Sequence, residues 1–316
     1  MIRDIMTQTG NVDSILIQAY SSLSSGDMAA ASAWLEKALT VDFDHPEILF
    51  AMKCEAWWLD SMQKAQAKTD LFDIGEAYLH QWKLFNAFLS TCTDTWERVV
   101  LAYKQFAFSK ALASYEQLLQ DGEANDPEIS FRIGRCQKGI GNYEQALKHL
   151  EAATRINKDD PAILAELADL YGLINEPRAS KALFREAFFL NPQRIDLEML
   201  ESDVMGRLEA RTRENNRNGH EVVEWIPIFA EVSGVFSVKR ELKPIEVSKL
   251  KNSIYELESE LNNDGSRRAV LVPRLINKYF WLTDHLISVK EEKPKIDEIL
   301  LKIKLLDPTI YKLYVA

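Results

Sequence analysis

Glycine and proline are scarce, 12 and 10 in 316 residues, and they gather between stretches of helical periodicity. Alternation of Val, Ile and Thr of the kind a half-buried strand needs is scarce too, and apolar residues mostly recur at intervals of three and four, so sheet architectures are excluded and an all-α fold is expected. Cysteine is limited to Cys54, Cys92 and Cys136. Odd in number and far apart, they exclude a disulfide framework and fit buried thiols in a reducing compartment. No apolar run approaches the roughly 20 residues that cross a bilayer, so membrane insertion is not expected. Met1 to Gly10 lacks a basic stretch followed by an apolar run, so no signal peptide is read and a cytoplasmic location is expected.

Catalytic patterns are missing as well. There is no Gly-rich phosphate loop after a strand, no Gly-x-Ser-x-Gly elbow, no His-Glu-x-x-His and no Cys-x-x-Cys. The five histidines, His45, His80, His149, His220 and His285, are scattered without the three- or four-residue spacing of a helical metal site. Carboxylate pairs such as Asp159-Asp160 and Glu291-Glu292 are ordinary in a chain this acidic and read as helix starts and solubilising charge. A non-enzyme without metal or cofactor is therefore expected. The net charge of −10 disfavours general nucleic-acid binding. The acid is concentrated before Lys239, and the remainder of the chain is net basic, which leaves self-association of unlike ends open.

What the chain does contain is repetition. Asp126-Pro127 and Asp160-Pro161 open two successive units with a spacing of about 34 residues. In the first, Ile133, Gly134 and Gln137 precede the turn Gly141-Asn142-Tyr143, and Ala146, Leu150 and Ala153 follow it. In the second, Leu167, Ala168 and Tyr171 precede Asn175-Glu176-Pro177, and Ser180, Phe184 and Ala187 follow. Small residues at matched positions let two antiparallel helices approach closely while large ones fill the gaps, and a proline near the end stops the second helix. These residues resemble the tetratricopeptide repeat. The resemblance implies an all-α, right-handed helical-hairpin solenoid that acts by binding other proteins.

In that frame residues 12–45 form another unit, with Ala19, Ala31, Leu35 and Ala38 around a turn at Gly26-Asp27. Pro46 opens a further one whose first helix reaches about 62, while 64–93 reads as an irregular insert. A helix pair is expected from Thr95 to Asp121. The solenoid spans 1–210, and 211–221, rich in Arg and Asn, reads as an exposed linker. The remainder, 222–316, is a diverged helical part. It holds a buried helix around Trp225 and Phe229 and an amphipathic helix from Pro244 with Val247, Leu250, Ile254, Leu257 and Leu261 on one stripe, closed by Asn262-Asn263-Asp264-Gly265. It ends in a degenerate helix pair, 274–290 and 295–306.

In proteins resembling this family, one stripe of each first helix faces a concave groove. That places Tyr20, Leu23, Phe50, Trp57 and Trp58 on an apolar, aromatic inner face, and Arg135 and Lys138 on a more polar one. The family's chaperone-carboxylate clamp uses cations on three helices; this chain offers two on one, so the clamp is in doubt. The expectation is a scaffold or adaptor that grips a peptide or partner helix with these seven residues, within a multiprotein assembly of the kind bacterial scaffolds resembling it serve. Two readings of the aromatic face stay open: a partner fills it, or the aromatic helix 71–91 of the chain itself does. Two other functions stay open as well. One is a small-molecule regulator or enzyme with a site formed by Arg207, Arg211, His220 or His285, and the other is a homotypic assembly subunit.

Overall fold

The computed structural model describes residues 2–120, 126–263 and 265–316, with no side chains given for 2–10 and 66. Asp121 and Asp264 therefore lie outside the described residues, as do Met1 and the side chains to Gly10 on which the absent leader was read. Among the described residues there are 15 α-helices and no strand. They form two compact units, Met1–Ile156 and Asn157–Ala316.

The first unit runs α1 (Ile2–Ser24), α2 (Met28–Val41), α3 (Pro46–Gln66), α4 (Leu71–Leu89), α5 (Glu97–Gln120), α6 (Pro127–Gly139) and α7 (Tyr143–Ile156). Helix starts are set locally. Asp27, Asp70 and Asp126 accept from the backbone N–H of Ala30, Asp73 and Glu128, and Pro46 and Pro127 occupy first-turn positions where no N–H is missed. Hairpins form from α1 with α2, α4 with α5, and α6 with α7, while α3 stands against α2 and α4 and α1 packs on α5. The matched small residues have the expected cause. A Cβ on Gly134 would lie 2.7 Å from Leu150 Cγ, so α6 and α7 meet at that point.

The segment 64–93 departs from the repeat pattern without losing helical order. It holds α4, a regular helix, and the stretch from Thr95 is one helix, α5, rather than a pair. The repeat phase is lost there because α3, α4 and α5 run 21, 19 and 24 residues, against 13 and 14 for α6 and α7. Gly75 of α4 supplies the close approach in this stretch, since its Cβ would fall 2.4 Å from Tyr115 Cζ on α5.

The second unit holds α8 (Pro161–Leu173), α9 (Pro177–Leu190), α10 (Asp203–Glu214), α11 (Val222–Val232), α12 (Pro244–Asn263), α13 (Arg268–Ser288), α14 (Lys293–Leu306) and α15 (Pro308–Val315). The stretch expected as a linker, 211–221, holds the last turn of α10 and a short 3-10 turn at Gly219–Glu221, and the division between compact units falls at Ile156 instead. One apolar cluster joins Leu164, Phe184, Phe188, Leu208, Ile226 and Phe236. Another joins Trp225, Phe229, Leu250, Ile254, Tyr279, Phe280 and Ile303, and the stripe of α12 packs on it.

Four hairpin turns, two in each unit, share one closing bond. Asp27, Asn142, Glu176 and Glu291 donate their N–H to the carbonyls of Ser22, Gln137, Tyr171 and Leu286, all at 2.8–2.9 Å. This is the helix-ending geometry that requires a left-handed residue just before the donor. Gly26, Gly141, Asn175 and Lys290 provide it, with φ of 79°, 86°, 63° and 54°. The α13/α14 turn thus repeats the turn of α6/α7, although its residues differ.

Candidate interaction site

The inner stripe of the first unit is tied up by its own side chains. Arg98 of α5 grips both carboxylate oxygens of Glu47 on α3, and its Nη2 lies 2.6 Å from Glu47 Oε2 and 2.7 Å from Asp13 Oδ1 on α1. Tyr20 lies beneath the guanidinium at 5.8 Å and donates its hydroxyl to Glu47 Oε1 at 2.7 Å. Burial, helped by that bond, pushes the Tyr20 hydroxyl upward in pKa, and the bond to Glu47 raises Arg98. Ser24 donates to Gln105, and Ser109 donates to the Ser24 carbonyl. Helices α1, α3 and α5 are thereby joined across the stripe where an open groove was expected.

The aromatic face is also closed. Trp58 is 0% exposed, with ring centroids of Trp57, Phe85 and Phe106 at 5.2, 5.4 and 5.7 Å. Half-buried Trp57 lies 5.1 Å from Phe85 and 5.9 Å from Phe88, both on α4. Leu23 and Phe50 are core residues at 0% and 8% exposure. Of the two occupants left open for this face, the structure has the chain's own α4 in place. Leu23, Phe50 and Trp58 are accordingly corrected from surface anchors to core: Trp58 packs on Phe85 of α4 and Phe50 lies 6.2 Å from Trp96, while Leu23 of α1 is fully buried.

Arg135 and Lys138 need the same correction. They are 6% and 2% exposed, and Arg135 stacks on Phe131 at 4.6 Å, so neither projects into solvent as a clamp requires. In the second unit the buried Asp169 of α8 is likewise spent internally. Its carboxylate accepts from the N–H of Glu201 and Ser202 at the start of α10.

The surface that does combine an apolar floor with available charge lies between α9 and α10. A cleft of about 370 Å³ is lined by Pro177, Val204, Leu208 and Val235, with Lys181, Arg207 and Arg211 on its walls. Arg207 and Arg211 are one helical turn apart on α10, so both point to one side. Arg207 pairs with Asp203 at 3.1 Å, both highly exposed, and such a pair contributes about 0–1 kcal/mol. Lys181 and Arg211 have no carboxylate partner among the described residues. Sequence reasoning had noted Arg207 and Arg211; it missed Lys181 and the floor, whose Val235 comes from the turn after α11. His220 is not part of this cleft, and His285 lines a separate one with Pro244, Val247 and Val289.

For chemistry, the described residues contain no group of three His, Cys, Asp or Glu side chains placed to hold a metal ion. Burial pushes the Cys54 thiol up to about 12 and lowers His149, the reverse of what activates a thiol. Among the described residues no helix is long and apolar enough to cross a membrane. The family profile described as tetratricopeptide repeat matches residues 102–170, and a second profile of that description matches 12–45. No curated protein matches the chain.

Proposed function

We propose that this chain, which is a tetratricopeptide-repeat protein, is a non-catalytic interaction scaffold that docks a partner in the α9/α10 cleft of its second unit, as one component of a larger assembly. Such repeats generally mediate protein–protein contacts. The observation that supports this location is the pairing of three cations with an apolar floor in a cleft that lacks a carboxylate on its walls. The complementary partner is a short segment in which Asp or Glu flanks Leu or Phe: the apolar side chain fills the floor and carboxylates meet Lys181 and Arg211. By contrast, the inner stripe of the first unit has its cations and aromatics engaged by α1, α3, α4 and α5.

The test uses short peptides that pair Asp or Glu with Leu or Phe, measured by fluorescence anisotropy on the whole chain. Saturable binding that weakens with salt is expected, and Lys181→Glu with Arg211→Glu should reduce it at least about tenfold, as two lost charge-assisted contacts imply. Lys148→Glu, which alters an exposed α7 charge paired with Glu144, serves as the control. Binding that survives the double reversal, or is lost equally in the control, overturns the assignment.

A further inference from the structure

A second cleft, of about 180 Å³, lies where the end of α9 meets α12 and α13. At about 30 Å³ per water it has room for roughly six, which suits a small group rather than a drug-sized ligand. Its lining includes several side-chain donors. Asn277 Nδ2 donates to the Phe188 carbonyl at 3.2 Å and Lys278 Nζ to the Phe189 carbonyl at 2.7 Å, so both cap the last turn of α9. Each capping group keeps further N–H bonds beyond the one it spends on α9. Asn191 accepts from Gln193 N–H with its oxygen, which leaves its amide nitrogen as a donor. Ser253 on α12 makes no hydrogen bond among the described residues, and no carboxylate lines the cleft.

The charge is unbalanced in the same place. Buried Glu224 on α11 receives both Nε and Nη2 of Arg274 on one oxygen, at 2.8 and 2.7 Å, and this neutralises Arg274. Lys278, one turn further along α13, is left as the surplus cation. The charged groups facing it are Arg274 and Glu224, while α9 and α12 present Phe189, Leu190, Ser253 and Leu257.

We infer that this cleft is a phosphoryl-binding site, in which Lys278, Arg274, Asn191 and Ser253 surround a group that offers only acceptor oxygens and negative charge. The inference is independent of the α9/α10 cleft. A phosphoryl group matches the donor set because its oxygens accept in several directions at once, and Lys supplies the point charge. Burial, and then the like charge of Arg274, bring Lys278 down to about 8 against the opposing pull of Glu224. Because this lies below the unfolded value, the empty fold binds fewer protons than the unfolded chain between pH 8 and about 10.4. Stability from this group therefore rises with pH through that window, and a bound dianion removes the rise.

Calorimetric titration of the whole chain with inorganic phosphate and with O-phosphoserine, at ionic strength fixed by sodium chloride, tests the site. The tighter of the two identifies a free anion or a phosphorylated side chain as the source. Saturable binding of either is expected near pH 7.5. Lys278→Met should lower affinity at least about tenfold, and Ser253→Ala, which removes a donor the fold does not use, about two- to fivefold with unchanged melting. Between pH 8 and 9.5, where phosphate is already a dianion, affinity should fall about tenfold as Lys278 loses its proton. Equal affinity in wild type and both variants overturns the assignment. So does acetate binding as tightly as phosphate, or stabilisation that chloride reproduces.

Discussion

Replacing Trp58 with Ala is expected to unfold the first unit more easily, not to disable a groove. The indole is fully buried and lies against rings on three helices: Trp57 of α3, Phe85 of α4, and Phe106 and Tyr103 of α5, with Tyr103 stacked at 6.4 Å. Truncating a buried Trp costs about 3–5 kcal/mol through lost transfer energy and the cavity left behind. One effect works the other way: the Trp58 indole N–H is buried without an acceptor, so deleting it returns about 1 kcal/mol and places the change near the low end. For a unit of this size about 3 kcal/mol lowers the melting temperature by about 6–12 °C. Far-UV circular dichroism during urea and thermal unfolding measures it without depending on the removed fluorophore. Half-buried Trp57→Ala should cost roughly half as much. If Trp58→Ala left the unfolding midpoint unchanged, the packing of α4 on α3 would be refuted and the aromatic face would be an open groove.

Gly75→Ala should destabilise by up to about 2 kcal/mol, the overpacking cost less the usual helix gain of about 1 kcal/mol. The new methyl would meet the ring of Tyr115, which is held by a 2.6 Å hydrogen bond to Glu76, and overpacking costs about 1–3 kcal/mol. A urea midpoint that rises would contradict the close approach of α4 and α5. Lys290→Gly should stabilise by about 1 kcal/mol by relieving a left-handed residue with φ of 54°, seen as a higher melting temperature; no gain would mean that the α13/α14 turn is not closed as the other hairpins are.

The parts of the fold legible in the sequence are those whose signals are local. Pro127 and Pro161 mark helix starts, Gly141 and Asn175 mark left-handed turns, and Gly134 against Leu150 records a helix crossing. The family stripe also located Tyr20, which does meet Asp13 and Glu47 around Arg98. What it did not carry was whether that stripe is open, because closure depends on the length of α3 to α5 and on Arg98, which lies 85 residues from Asp13 in sequence. The candidate clefts were half legible. Arg207 with Arg211, and Arg274 with Lys278, are basic pairs one turn apart, but their walls come from Val235 and from the end of α9, which no spacing rule connects to them.

Helix α9 links the chemistry of both clefts in the second unit. Lys181 near its start faces one, and Phe188 to Leu190 at its end border the other. Between them, buried Arg185 bonds Glu231 of α11 and Asp284 of α13 at 3.3 and 2.5 Å and lies 3.9 Å over Trp281. Lys239 bridges the same two carboxylates. Two cations thus balance two anions, which is the condition for burying such charges without a large desolvation penalty. A helix pinned at its centre by directional charge pairs cannot rotate to present Lys181 elsewhere or withdraw the carbonyls that Lys278 caps. Both sites are therefore held in place before any ligand arrives. The cost of ordering α9 is met by the fold, so binding at either cleft need only offset the ordering of the ligand itself.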